Sequence, residues 1–550
     1  MNIIKNGILF LVICMLSCKA TQKTVIPAWI PYDESVELAE NALHKSSKMR
    51  YKLIQSRLLD KNEMWKNVSM QIRNFSEKDY QRLLPFILEQ NIPTLQSHIL
   101  SGRLTYTLLT QWYLYRIVKY ENDKSTSLNN IISINPNAVN EARKRDRNKS
   151  VMQHPVYGMP IMLKDNINMQ GLPTTAGAAA LRNNKPTDAF IADRIKENGG
   201  IIIGKANLSE WANFLCADCP NGYSAIGGQT LNPYGRRIYD TGGSSAGSGS
   251  AMAANYAAAA VGTETSGSIL SPASANSIVG LKPTTGLLSR TGIVPISGTL
   301  DTPGPMTRNV TDNAILLSAM CGRDSTDDAN RDNSANIKYW ENLKNASLKG
   351  IRFGVFKNYL TDSLYKQSVQ KIISLGGIVI EIVPEKITLD SFGILLSADM
   401  KTDLPNYLNK HTSDDVTLHT VAAIVDYNLQ DTLLRIPYGQ ARFDGILKEN
   451  MRTADLNQLK IKLNKAGVLF FEKHISSHQL DAILSINNRD AGFAAVAKYP
   501  CLTVPMGYLK SGEPAGLTFI ARPFEEDKLL KIGFAFEQAT RLRKIPIKYK

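Results

Sequence analysis

The sequence predicts an α/β protein with a mixed β-sheet core covered by helices. Three observations carry this. Short apolar runs bounded by glycine, such as Ile201-Ile202-Ile203, suit buried strands. They alternate with Ala-rich stretches such as Ala251 to Val261, which read as helix, and strands alternating with helices argue for a helix-covered sheet. The chain is 43% apolar and 21% charged, which excludes a disordered or fibrous chain and provides for a large core.

From the N-terminus, Lys5 precedes a short unbroken apolar run, Ile8 to Leu16, followed by Ser17, Cys18, Lys19 and Ala20. The run falls short of the roughly 20 apolar residues a membrane-spanning helix needs, so residues 1–18 read as a signal peptide. Leu16-Ser17-Cys18 also resembles a bacterial lipobox, in which the Cys becomes the acylated first residue of the mature chain. The expected location is therefore secreted, periplasmic or, through a lipid anchor on Cys18, the bacterial cell envelope. Residues 19–92 are expected to form a tether and an N-terminal helical arm. Residues 33–120 read as mostly helical, with helical spacing of apolar residues from Leu104 to Tyr120. Residues 93–550 are expected to form the remaining unit. Within it, Ala329 to His478 is more polar, reads as largely helical, and is positioned to cap a site.

Net charge is +15 and the pI about 9.3, but the charges are scattered. The densest run, Arg143 to Lys149, is short, contains Asp146 and lacks aromatics, so a nucleic-acid partner is not expected. Cys216 and Cys219 form one C-x-x-C without a second ligand pair, which does not make a zinc site. Two readings stay open for the pair, a tight disulfide or two free thiols.

Chemistry concentrates in three segments. Thr241-Gly-Gly-Ser-Ser-Ala-Gly-Ser-Gly-Ser250 has the composition of a linker, yet it runs into an uncharged Ala-rich stretch that belongs in an interior. It lacks the Lys-Ser/Thr ending of a phosphate-binding P-loop. Gly262-Thr-Glu-Thr-Ser-Gly-Ser-Ile-Leu-Ser-Pro272 sets serine beside glycine in a turn whose backbone N–H groups can converge on one oxygen. In Gly158-Met-Pro-Ile-Met-Leu-Lys-Asp-Asn166, Lys164 follows an apolar run, and burial would make it a neutral general base. No histidine lies in these segments, and there is no G-x-S-x-G elbow. A serine nucleophile with a lysine base is the combination on offer.

These segments resemble the amidase signature family. The resemblance implies the amidase signature fold, with Lys164 as base, Ser244 as proton relay and Ser268 as nucleophile, the two serines 24 positions apart. It also implies that Thr265, Ser266 and Gly267 bind the substrate oxyanion, and that no metal or organic cofactor is required. Further matching blocks are Thr174-Thr-Ala-Gly177, Gly204-Lys-Ala-Asn-Leu-Ser-Glu-Trp211, Gly280-Leu-Lys-Pro-Thr284, Asp301-Thr-Pro-Gly-Pro-Met306 and Tyr499-Pro-Cys-Leu-Thr-Val-Pro505. Ser266-Gly267 departs from the Gly-Gly pair of many members, and Glu264-Thr265-Ser266 resembles the peptide amidase branch. The expected partner is a small-molecule or peptide amide, and oligomeric state is not indicated. Two alternatives stand beside hydrolysis: an amidotransferase A-type subunit, against which the signal peptide argues, and a non-catalytic anchored binding protein.

Overall fold

The structure, a computed structural model, describes residues 24–149, 153–331 and 337–550. The targeting segment, including Cys18, lies outside them.

Thirteen strands are formed by the described residues: β1 (Ile131–Ile134), β2 (Pro160–Lys164), β3 (Ile201–Ala206), β4 (Tyr223–Ser224), β5 (Gly228–Gln229), β6 (Ala259–Glu264), β7 (Val279–Lys282), β8 (Thr302–Thr307), β9 (Arg352–Phe356), β10 (Ile378–Ile382), β11 (Ala482–Ile486), β12 (Cys501–Tyr508) and β13 (Pro514–Ile520). Eleven make one mixed sheet in the order β1-β3-β2-β6-β8-β7-β12-β13-β11-β9-β10, and β4 pairs with β5 apart from it. The expected α/β architecture is what the chain adopts. Strands β3, β2 and β6 run parallel to one another. Every residue of all three is buried, which is why they read as continuous apolar or small-residue runs rather than alternating ones.

The N-terminal region is helical as expected, with helices Ser35–Ala42, Lys61–Ile72, Glu77–Ile87, Ile92–Leu100 and Tyr106–Glu121. It is packed into the body of the protein. Trp65, Leu83, Leu95 and Trp112 belong to the same apolar core as Ile202, Val261 and Leu502 of the sheet. Buried Arg116 donates from Nε to the carbonyl of Ala254 (2.9 Å), tying this layer to the end of helix Ala246–Ala253.

Two sequence expectations are corrected. The Ala251 to Val261 stretch is not one helix: helix Ala246–Ala253 ends there and β6 begins at Ala259. Asn255, at φ 59°, adopts the left-handed conformation that reverses the chain, and an alanine-rich run carries no periodicity to separate helix from strand. The segment from Ala329 to His478 is not only helical, because β9 and β10 lie within it and close one edge of the sheet. From Phe392 onward it is helical. Helices Phe392–Lys410, Val421–Leu429 and Ala441–Lys448 pack Met400, Ile424 and Phe443 into a second core shared with Trp211, Val294 and Leu300, at the end of the sheet where the chemical segments lie.

Candidate active site

β2 and β6 are parallel neighbours, with Leu163 opposite Val261, so both deliver their C-terminal loops to the same edge of the sheet. That edge is where ligands bind in such sheets. Lys164 is the last residue of β2 and has no solvent exposure. Its Nζ lies 2.7 Å from Ser244 Oγ, 2.8 Å from Thr263 Oγ1 and 3.3 Å from the Thr263 carbonyl. Burial pulls the Lys164 ammonium down from 10.5 to about 7, against the attraction of Asp301 and Glu264, which raise it. A lysine at such a value is split between acid and base forms at neutral pH, which is what proton transfer requires.

Ser244 and Ser245 lead into helix Ala246–Ala253. Ser244 is fully buried and follows a cis peptide bond from Gly243. Gly247 lets this helix approach the sheet, since a Cβ there would sit 2.3 Å from the carbonyl oxygen of Asn207. Ser245 stitches the segment to its surroundings: its N–H donates to the Ser268 carbonyl (3.1 Å) and its hydroxyl to the Thr263 carbonyl (3.0 Å).

The turn after β6 carries Thr265, Ser266, Gly267 and Ser268. The buried Glu264 carboxylate closes it, with Oε2 accepting from the N–H groups of Ile269 (2.6 Å) and Leu270 (3.0 Å). Gly267 has φ 86°, and a Cβ there would meet Asn488 Nδ2 at 2.8 Å, so glycine is required twice over. Thr265 Oγ1 donates to Asp301 Oδ1, while Asp301 Oδ2 accepts from the N–H groups of Ile296 (2.8 Å) and Ser297 (2.9 Å). The N–H groups of Ser266, Gly267 and Ser268 have no protein acceptor among the described residues. Ser268 is half-buried, and its hydroxyl forms no side-chain hydrogen bond among the described residues.

All six residues named from the sequence thus lie at one edge of the sheet. Lys164 and Ser244 are in direct contact, and Ser268 is joined to them through the backbone of Ser245. Sequence reasoning missed Thr263, which holds Lys164, and the links from Glu264 and Asp301 to the turn. It also missed the buried ion pair beside the site, Lys205 Nζ to Asp165 Oδ1 at 3.0 Å, neither side chain having any exposure. Burial pushes both groups toward their neutral forms while each holds the other charged. A signal for this pair existed: Lys205 is a lone charge in an otherwise apolar strand, next in sequence to Gly204. Cys216 and Cys219, left open above, are joined by a disulfide.

The family model described as Amidase matches residues 109–530. A probable amidase of Arabidopsis thaliana, At4g34880, is 36% identical over 487 residues, covering 84% of this chain and 92% of that protein. Among solved structures, an amidase family protein from Bacillus anthracis superposes with a TM-score of 0.85 at 34% identity, over 90% of this chain and 99% of that one. The native peptide amidase from Stenotrophomonas maltophilia does so with a TM-score of 0.79 at 36% identity, over 84% and 98%.

Proposed function

The chain belongs to the amidase family and is an amide-hydrolysing enzyme, and from that premise we propose that it cleaves its amide through an acyl-enzyme on Ser268, with Ser244 and Lys164 as relay and base. The observation that carries this reading is the contact between Lys164 Nζ and Ser244 Oγ, 2.7 Å long and closed to water. In its neutral form Lys164 offers a lone pair to the Ser244 proton. Ser244 then accepts the proton of Ser268 as Ser268 Oγ bonds to the amide carbon. The resulting oxyanion is held by backbone N–H groups of the turn from Thr265 to Ser268; those of Ser266, Gly267 and Ser268 have no competing protein acceptor. The proton returns along the same path to the departing nitrogen, the C–N bond breaks, and ammonia or an amine leaves. Water, deprotonated by the same relay, then releases the acid and restores Ser268.

Peptide-derived amides are the first substrates to test, given the likeness to the Stenotrophomonas peptide amidase. The test is a fluorophosphonate probe followed by mass spectrometry, alongside ammonia release from peptide amides by the purified chain alone. Modification of Ser268 with turnover supports the reading. Absence of labelling would favour the binding-protein alternative, and turnover only with added partner subunits would favour an amidotransferase.

We propose in addition that residues 1–18 direct export and that Cys18 carries acyl chains, on the strength of the apolar run and the lipobox resemblance. Several chains on one residue give stable attachment where one chain binds only reversibly. The tether expected from residue 19 onward is corrected from Thr24 on: Thr24 donates to the carbonyls of Arg73 (2.8 Å) and Phe75 (2.6 Å), and Trp29 is buried in the main core.

A further inference from the structure

A cavity of about 1030 Å³ is lined by none of the residues of the catalytic turn and takes no part in the chemistry above. Its apolar wall includes Leu300, Leu395, Leu463 and Val496, and its rim carries Lys460, Lys498, Arg331 and Arg522. Some of these cations are occupied. Lys460 pairs with Asp399 at 2.8 Å, Arg522 pairs with Glu472, and Arg331 lies over the ring of Phe524. Lys498 differs from them. It is half-buried, and among the described residues no carboxylate lies within ion-pair distance of it. Burial lowers its ammonium, and the nearby positive charges of Arg290, Arg331 and Lys460 lower it further; of the two carboxylates that line the cavity, Glu472 is held by Arg522 and Asp328 is not within ion-pair distance of Lys498.

The backbone at Lys498 adds an independent observation. Lys498 follows helix Ala491–Ala497 and adopts φ 62°, the left-handed conformation that glycine takes at helix ends without strain. A lysine there accepts backbone strain and places its cation on the cavity rim. The same helix starts at the catalytic turn, where a Cβ on Gly492 would lie 3.9 Å from Ser266 Oγ. At about 1.5 Å per residue, Lys498 stands on the order of 10 Å from that turn along the helix. A second link runs through the chain itself, since Leu300 lines the cavity and Asp301 beside it holds Thr265.

We infer that this cavity is a binding site for an organic anion, its carboxylate at Lys498 and its apolar body against Leu395, Leu463 and Val496. The carboxylate has two possible sources: a remote acidic group on the amide substrate or a free acid. The first source rests on the hydrolytic reading above, whereas binding itself does not.

The test is calorimetric titration of the full chain with 4-phenylbutyrate and with 4-phenylbutanol, its uncharged counterpart. Lys498→Gly removes the cation at a position glycine favours, so the fold and its thermal midpoint are retained. Saturable binding of the acid, weaker by about tenfold for the alcohol and for Lys498→Gly and kept in Lys498→Arg, is the expected result. Absence of saturable binding, or equal binding by wild type and Lys498→Gly, overturns the proposal whether or not the enzyme turns over. Two kinetic arms separate the sources. A lower KM for a glutamate-containing peptide amide than for its glutamine counterpart, lost in Lys498→Gly, identifies the substrate. A change in turnover of a neutral amide when 4-phenylbutyrate is added, lost in the same variant, identifies a free acid.

Discussion

Lys164 and Ser244 share a 2.7 Å hydrogen bond in which neither side chain is reachable by water. The contact fixes how activity should depend on pH. Burial holds the Lys164 ammonium at about 7, and only the neutral amine can accept the Ser244 proton. kcat/KM should therefore rise tenfold per pH unit below about 7 and level off above it. The linkage to stability has the opposite burden. Because the folded value is depressed, the unfolded chain binds the extra proton between about pH 7 and 10.5, and Lys164 contributes more stability as pH rises through that window. The stability of wild type relative to Lys164→Met should grow by up to about 1.4 kcal/mol per pH unit there, read by urea melts at several pH values. A flat difference would show that Lys164 stays protonated.

Substitutions in the relay should be severe and should not add. Ser268→Ala should abolish ammonia release, having no oxygen to acylate. Ser244→Ala and Lys164→Ala should each lower kcat by roughly 10²–10⁴-fold, and the double variant should be little worse than either. Full activity in any of the three would remove that residue from the mechanism.

The three residues proposed as the relay, which the structure brings to one end of the sheet, stand out in the sequence because each sits in a short segment whose composition is odd for its surroundings: a lysine ending an apolar run, and serines packed among glycines. What could not be read depends on the fold. Asp301 meets Thr265 only because β8, antiparallel to β6, begins opposite its end. Thr263 carries no local mark of its contact with Lys164. β6 was hidden because alanines suit helix and buried strand alike, and β9 and β10 because they are short strands within a polar, helix-rich segment. The C-x-x-C pair left two chemistries open, and the structure shows the disulfide.

The ion pair between Lys205 and Asp165 is predicted to matter more when half of it is removed than its strength implies. Thr175 also serves Asp165, its N–H donating at 3.1 Å, and Lys205 reaches Thr174 Oγ1 at 2.8 Å. Lys205→Met leaves a buried carboxylate without its cation, and chemical denaturation should show a loss of about 3–5 kcal/mol. The double variant Lys205→Met with Asp165→Asn should recover part of that loss. A single variant as stable as wild type would show that the pair is dispensable.

The anchor is tested at the N-terminus. Expressed in a bacterium with its leader, the mature protein should begin at Cys18, carry acyl chains by mass spectrometry and sediment with membranes. Cys18→Ala should block processing or release the enzyme from membranes. A mature terminus elsewhere leaves ordinary export, and a processed enzyme in the cytosol would overturn export itself.

Asp301 offers a way to separate electrostatics from architecture at this site. Its carboxylate accepts from Thr265 Oγ1 and from the backbone of Ile296 and Ser297, so it sets where the catalytic turn lies. It also attracts Lys164 and holds that lysine higher than burial alone would. Burial raises the Asp301 carboxyl itself, but three donors favour its ionised form. Asp301→Asn keeps the shape, and its amide can still serve the two backbone N–H groups while the Thr265 hydroxyl turns to accept. What is lost is the charge. Lys164 should then lose its proton more readily, and the acid limb of kcat/KM should move below about pH 7. Thr265→Val breaks the hydrogen bond and leaves the charge in place, so it should lower kcat with the limb unmoved. If both variants lower kcat and neither moves the limb, Asp301 acts through position alone. A limb that moves upward in Asp301→Asn would contradict the assignment of Lys164 as the titrating base.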